Sequence, residues 1–119
     1  MLLITSRETG RWVIPKGNIP QGLTAARSAE REAFEEAGVK GVIRKPPLGT
    51  YAYVKRLRTG LIRPALVTVY ALDVQKQLKK WPERGQRRIE WVTVPVATDM
   101  VDAPGMAHLI LKLAQLQLA

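Results

Sequence analysis

Apolar and polar positions alternate in short runs along most of the chain, and two longer stretches switch to helical spacing. Leu2 to Ser6 reads as a strand, and Trp12, Val13 and Ile14 form a second extended piece stopped by Pro15 and the Gly17–Gly22 loop. From Thr24 to Ala37 the period is helical, with Thr24 suited to the N-cap and Gly38 to the C-terminal stop. Val39 to Arg44 is extended up to Pro46 and Pro47. Leu48 to Leu57 and Ile62 to Val74 then predict an antiparallel pair joined near Thr59 and Gly60. A basic loop from Gln75 to Gln86 precedes a strand at Arg87 to Val94, and an amphipathic helix closes the chain from Pro104 to Leu118. Strands, helix, several strands, helix is the order of an α/β (α+β) domain, a mixed sheet sandwiched between helices.

The chain has 119 residues, one domain's worth, and neither repeat nor linker divides 1–119. No apolar run reaches the ~18 residues that would cross a bilayer, and Met1 to Arg7 lacks the basic flank and length of a secretion signal. The absence of cysteine excludes disulfides and thiolate-held zinc, and a cytoplasmic location is expected. Charge changes the picture more: 19 Lys and Arg against 10 Asp and Glu leave a net +9. Such a field attracts polyanions, whether phosphorylated small molecules, nucleic acid or acidic surfaces.

The first helix concentrates the chemistry. On a wheel of ~100° per residue, Ala26, Ala29 and Ala37 fall within roughly 40° of Ala33, a stripe that lets the helix lie close to a sheet. Glu36, Glu32 and Glu35 share the flank at roughly −60°, −100° and −160°. A hard divalent cation would turn their mutual repulsion into coordination. The plain alternative is a solvated acidic face with Arg31 paired to Glu35, and the helix alone does not decide between the two.

The preceding loop does. Trp12 to Gly17 followed by Arg31 to Val39 resembles the Nudix box: a glycine, five residues, a glutamate, seven residues, then Arg-Glu, two residues, Glu-Glu, one residue and Gly. Gly17 lies fourteen residues before Arg31, and Gly17, Arg31, Glu32, Glu35, Glu36 and Gly38 all agree. At ordinary residue frequencies such agreement arises by chance on the order of 10⁻⁵ of the time. The box's first glutamate is replaced by Leu23, a position that in the family supports the box arginine more than the metal. The family's first strand also has no counterpart before Leu2. Either the chain is truncated or a neighbouring copy fills the open sheet edge, so a homodimer is one expectation.

The resemblance implies a metal-dependent hydrolase of phosphoanhydride bonds. Glu32, Glu35 and Glu36 would be catalytic and, with the Gly17 carbonyl, hold Mg²⁺ or Mn²⁺. The general base stays open among Glu32, Glu35 and Glu83. The chain looks most like the branch that cleaves diphosphoinositol and diadenosine polyphosphates, whose substrates suit the basic residues. Lys16, Arg56, Arg87 and Arg88 are the expected substrate contacts. Trp91 is expected in the core, whereas Trp81 either stacks on a base or packs the basic loop. Tyr51 and Tyr53 share one face of their strand, and His108 reads as structural. Two alternatives remain: a nucleotide or RNA 5′-end pyrophosphohydrolase, and a Nudix-like binding module without turnover. Nucleic acid is the less favoured partner, because no RNA- or DNA-binding signature appears.

Overall fold

The computed structural model describes residues 1–17, 19 and 21–118, without the side chains of Lys55, Arg56, Gln117 and Leu118. In chain order the elements are β1 (Leu2–Thr5), β2 (Trp12–Val13), α1 (Ala25–Ala37), β3 (Val39–Ile43), β4 (Gly49–Arg56), β5 (Ile62–Val69), β6 (Leu72–Gln77), β7 (Ile89–Trp91), α2 (Val94–Met100) and α3 (Pro104–Leu118). They make three antiparallel sheets: β2-β1-β7, β3-β6 and β4-β5. One isolated parallel bridge joins Trp12 to Val101, just after α2.

Period-two alternation in β1 explains the sandwich. Leu3 and Ile4 are adjacent, both fully buried, and point to opposite faces. Leu3 enters a core with Tyr51, Val69, Val94, Ala97, Met106, Leu109 and Ile110, where α2 and α3 cover β1 and the β4-β5 ladder. Ile4 enters a second core with Ala33, Ala37 and Val39, where α1 covers the other face. The small side chains of α1 are what bring its axis near the sheet: Ala26, Ala33 and Ala37 are buried, and Ala29 is half-buried.

Two expectations need correction. Ile62 to Val74 is not one strand, because the ladder to β4 ends at Val69 and β6 pairs instead with β3. The extended run thereby changes partner at Tyr70 and Ala71, with Ala71 accepting the Arg44 N–H at 2.9 Å. The stretch expected to be strand up to Val94 ends at Trp91, and an unexpected helix, α2, follows. Thr93 precedes it as N-cap residue and Pro95 occupies its first turn, where a missing N–H costs nothing.

Candidate active site

Helix α1 is well delimited. The Thr24 hydroxyl accepts the Arg27 N–H at 3.2 Å, and Gly38 ends the helix in the left-handed region (φ 70°) with its N–H donated to Phe34. Gln77, at the end of β6, donates its carboxamide to the carbonyls of Ala37 and Gly38 at 3.0 and 3.1 Å, capping orphan acceptors. The ring of Trp81 lies so close to Gly38 that a Cβ there would sit 2.3 Å from it. These contacts lock the end of the helix that carries Glu35 and Glu36.

Glu36 is the centre of the site. Its side chain is only 6% exposed, and its Oε1 accepts the backbone N–H of Lys16 at 3.3 Å. Its Oε2 lies 3.8 Å from the Arg87 guanidinium. Glu36 also shares a hydrogen bond with Glu32, one turn earlier. Burial, together with that hydrogen bond and the charge on Glu32, pushes the Glu36 carboxyl up to about 8, against the opposing pull of Arg87 and the Lys16 N–H. Gly17 completes the pocket: a Cβ on it would lie 2.5 Å from the Glu32 carboxyl carbon and 2.6 and 2.7 Å from its oxygens. A side chain at this position would therefore push the Glu32 carboxyl group aside.

Arg87 joins this pocket to the loop 78–88. Its side chain is 10% exposed, donates to the Thr5 carbonyl at 3.1 Å and meets Glu83 Oε1 at 3.2 Å through both Nε and Nη2. Arg7 lies 3.7 Å from the same Glu83 oxygen. The chain of charge therefore runs Glu83, Arg87, Glu36, Glu32. Glu83 is further tied to α1 by its backbone N–H, which donates to the Glu35 carbonyl at 3.0 Å.

The residues singled out in the sequence divide in space. Glu32, Glu36 and Gly17 converge. Glu35 turns away and binds the Arg31 Nε at 2.7 Å on the exposed flank, the pairing that Leu23 in place of a glutamate left open to Arg31. No group of three or more His, Asp or Glu is arranged as a metal centre among the described residues. Lys16 borders the pocket with its ammonium 4.1 Å from the Tyr53 ring centroid, and Arg88 is exposed with its guanidinium 5.3 Å from the Trp12 ring. Arg87, by contrast, is enclosed by Thr5, Glu36 and Glu83. Arg56 ends β4, and its side chain lies outside the described residues.

Tyr51 is buried and Tyr53 half-buried beside it, centroids 6.5 Å apart. The Tyr51 hydroxyl has no hydrogen-bond partner among the described residues, and burial raises it to about 12. His108 lies on the exposed side of α3. Trp91 is a correction: it is 50% exposed rather than in the core, because none of the described elements covers the end of β7 where it stands. Thr5 and Gln77 were missed altogether. Thr5, buried, presents its carbonyl to Arg87 and its hydroxyl to the Arg88 N–H at 2.9 Å. No local sequence signal marks either contact.

A loop glycine held against a glutamate pair, on a helix that covers a sheet, gathers carboxylate oxygens, the donor type that hard cations prefer. The family model described as NUDIX domain matches residues 1–113. The chain is 34% identical over 105 residues to Nudix hydrolase 12, mitochondrial, of Arabidopsis thaliana, covering 84% of this chain and 51% of that protein. It is 31% identical over 111 residues to diphosphoinositol polyphosphate phosphohydrolase 3-beta of Bos taurus, covering 91% and 63%. The chain thus spans about half to two-thirds of the length of these relatives. Among solved structures, a C. elegans Ap4A hydrolase binary complex superposes with a TM-score of 0.68 at 20% identity, covering 98% of this chain and 85% of that one. The chain belongs to the Nudix family, and its fold is the Nudix fold. No helix of the described residues is long and apolar enough to cross a membrane.

Proposed function

We propose that the chain, as a single domain over 1–119, hydrolyses a phosphoanhydride bond with a divalent cation held by Glu32, Glu36 and the Gly17 carbonyl, and joined by Glu35. The observation that carries this reading is the Glu32–Glu36 pair, hydrogen-bonded carboxyl to carboxyl with Glu36 buried, beside a glycine whose Cβ would meet the Glu32 carboxyl group. Two hard oxygen donors so arranged fit Mg²⁺ or Mn²⁺. Glu35 is engaged with Arg31, but that pair lies at the surface, where opening it costs little. When bound, the ion would neutralise phosphate oxygens and acidify a bound water.

The chain's own residues have distinct tasks in this reading. Arg87 and the Lys16 N–H fix Glu36 from two sides, so Arg87 is a positioning residue as well as part of the basic field. Gly17 keeps Glu32 in place. Lys16 and Arg88 meet the substrate's phosphates, with Arg56 at the far end of β4 as a further cation. The general base is one of Glu32, Glu35 and Glu83, and Glu83 is held ready by Arg87 and Arg7.

A highly phosphorylated substrate, a diphosphoinositol polyphosphate or a diadenosine polyphosphate, suits the net +9 and the names of the relatives. The cytoplasmic location stays part of this proposal, although one relative named above is mitochondrial. So does pairing of two copies, for which β7 offers an edge without a strand partner among the described residues. The test is phosphate release from an inositol pyrophosphate, a diadenosine polyphosphate, a nucleotide sugar and a 5′-triphosphorylated RNA, with Mg²⁺ and with EDTA. Turnover of one of the first two that stops in EDTA is the expected result. Preference for the RNA selects the 5′-end reading, and silence on all four selects a binding module.

A further inference from the structure

The loop 78–88 has a second side. Away from Arg87 it borders an open groove of about 550 Å³ lined by Gln77, Leu78, Lys79, Lys80, Trp81, Arg84, Ile89 and Trp91. None of Gly17, Glu32, Glu35 or Glu36 lines it. The groove combines two indoles with three cations and has no carboxylate in its wall. Trp91 is half exposed but not loose: its indole N–H donates to the Gln77 Oε1 at 3.1 Å, which holds an aromatic ring open to solvent. Trp81 forms the wall, its ring braced against Gly38 and its Nε1 buried with no hydrogen-bond partner among the described residues. The Arg84 guanidinium lies 5.9 Å from the Trp81 ring centroid. Lys79 and Lys80 are exposed and have no acidic partner among the described residues.

Exposed aromatic area on a soluble domain normally costs hydration, and a fixed half-exposed tryptophan beside unpaired cations matches one kind of ligand. A flat heteroaromatic ring gains by stacking on an indole, and phosphates gain from the ammonium and guanidinium groups at the rim. A groove of this size takes a mononucleotide. A base-free polyanion would use the cations and leave the Trp91 face wet.

We propose that the groove between β6, the loop 78–88 and β7 is a second binding site that takes a nucleoside phosphate, with its base on Trp91 and its phosphates on Lys79, Lys80 and Arg84. The ligand is either a free nucleotide or the phosphorylated end of an RNA, and the site does not depend on the hydrolytic reading of the acidic pocket.

Calorimetric titration of the full chain in EDTA tests this, with ATP, a 5′-triphosphorylated RNA and inositol hexakisphosphate as probes. Trp91→Ala, at an exposed position, should weaken ATP about tenfold or more and leave inositol hexakisphosphate unchanged. The double variant Lys79→Gln/Lys80→Gln should weaken all three. RNA binding tighter than ATP, with the same loss in Trp91→Ala, identifies an RNA end as the natural ligand, whereas equal affinities identify the free nucleotide. An ATP affinity untouched by Trp91→Ala overturns the proposal, as does an equal loss for the base-free polyanion. Hydrolysis plays no part in a titration run in EDTA, so a failure of the enzymatic reading would leave this outcome standing.

Discussion

The two sides of the loop 78–88 solve opposite problems with the same kinds of residue. On one side Arg87 is enclosed, and its guanidinium meets oxygens that belong to the fold, at Thr5, Glu83 and Glu36. On the other side Lys79 and Lys80 stand in solvent beside Trp91. A cation enclosed by carboxylates positions them and has little left for a ligand. An exposed cation contributes little to stability and is available to a partner. Burial and pairing, rather than residue type, separate a residue that builds a site from one that meets what the site binds.

The largest expected effect tests the enclosed side. Glu36→Gln should reduce turnover by on the order of 10³ or more, since it removes a cation ligand, while circular dichroism shows an unchanged fold. Next comes Gly17→Ala. Its Cβ would meet only the far end of the Glu32 side chain, so the melting temperature should hardly move. Turnover should nevertheless fall by roughly 10²-fold, because the carboxylate is displaced. A large fall in melting temperature would show that Gly17 matters to the fold instead.

Arg87→Gln and Arg88→Gln sharpen the contrast within one pair of neighbours. Arg87→Gln should cost about 2 kcal/mol of stability, less than a fully buried broken pair because Glu36 can take up a proton. Arg88→Gln should stay within about 0.5 kcal/mol and raise KM for a polyphosphorylated substrate by a few-fold with kcat unchanged. Denaturant melts and steady-state kinetics on both variants check this. Similar stability losses would erase the distinction between the enclosed and exposed arginines.

The last effect is in pH. Glu36 titrates near 8 in the folded chain and near the ordinary carboxylate value when unfolded, so between those values the native state binds the extra proton. Its contribution to stability is therefore present at pH 4.5 and lost as pH rises towards 8. In EDTA, thermal melts should lose stability across that window in the native chain and not in Glu36→Gln. Mg²⁺ should raise the melting temperature more at pH 8 than at pH 5, because it replaces the proton. The opposite slope would contradict a shared proton.

Much of the acidic helix was legible in the sequence, because its determinants are local. Thr24, the alanine stripe and Gly38 lie within one segment and set the ends and the buried face of α1 whatever surrounds it. The glutamate spacing also put Glu32 and Glu36 one turn apart. What was not legible depends on residues far apart in the chain. Thr5 meets Arg87 across 82 positions, and nothing near either residue announces it. The wheel already set Glu36 beside the buried stripe and Glu35 near Arg31, but that Glu36 meets Arg87 depends on where the 78–88 loop returns. Trp91 carries a core residue's chemistry at the end of a three-residue strand that none of the described elements covers. Helix α2 was hidden by its β-branched residues, Val94, Val96 and Thr98, which favour extended structure until tertiary packing of Val94 and Ala97 overrides them.

The central claim is that the Glu32–Glu36 pair is a cation site serving hydrolysis, and one experiment addresses it most directly. Binding of Mn²⁺ would be measured by titration in the native chain and in Glu36→Gln, alongside turnover of a diadenosine polyphosphate at each Mn²⁺ concentration. The account predicts that activity rises with occupancy of a site in the native chain and that Glu36→Gln loses both together. Metal binding that survives Glu36→Gln, or turnover that persists in EDTA, would contradict it.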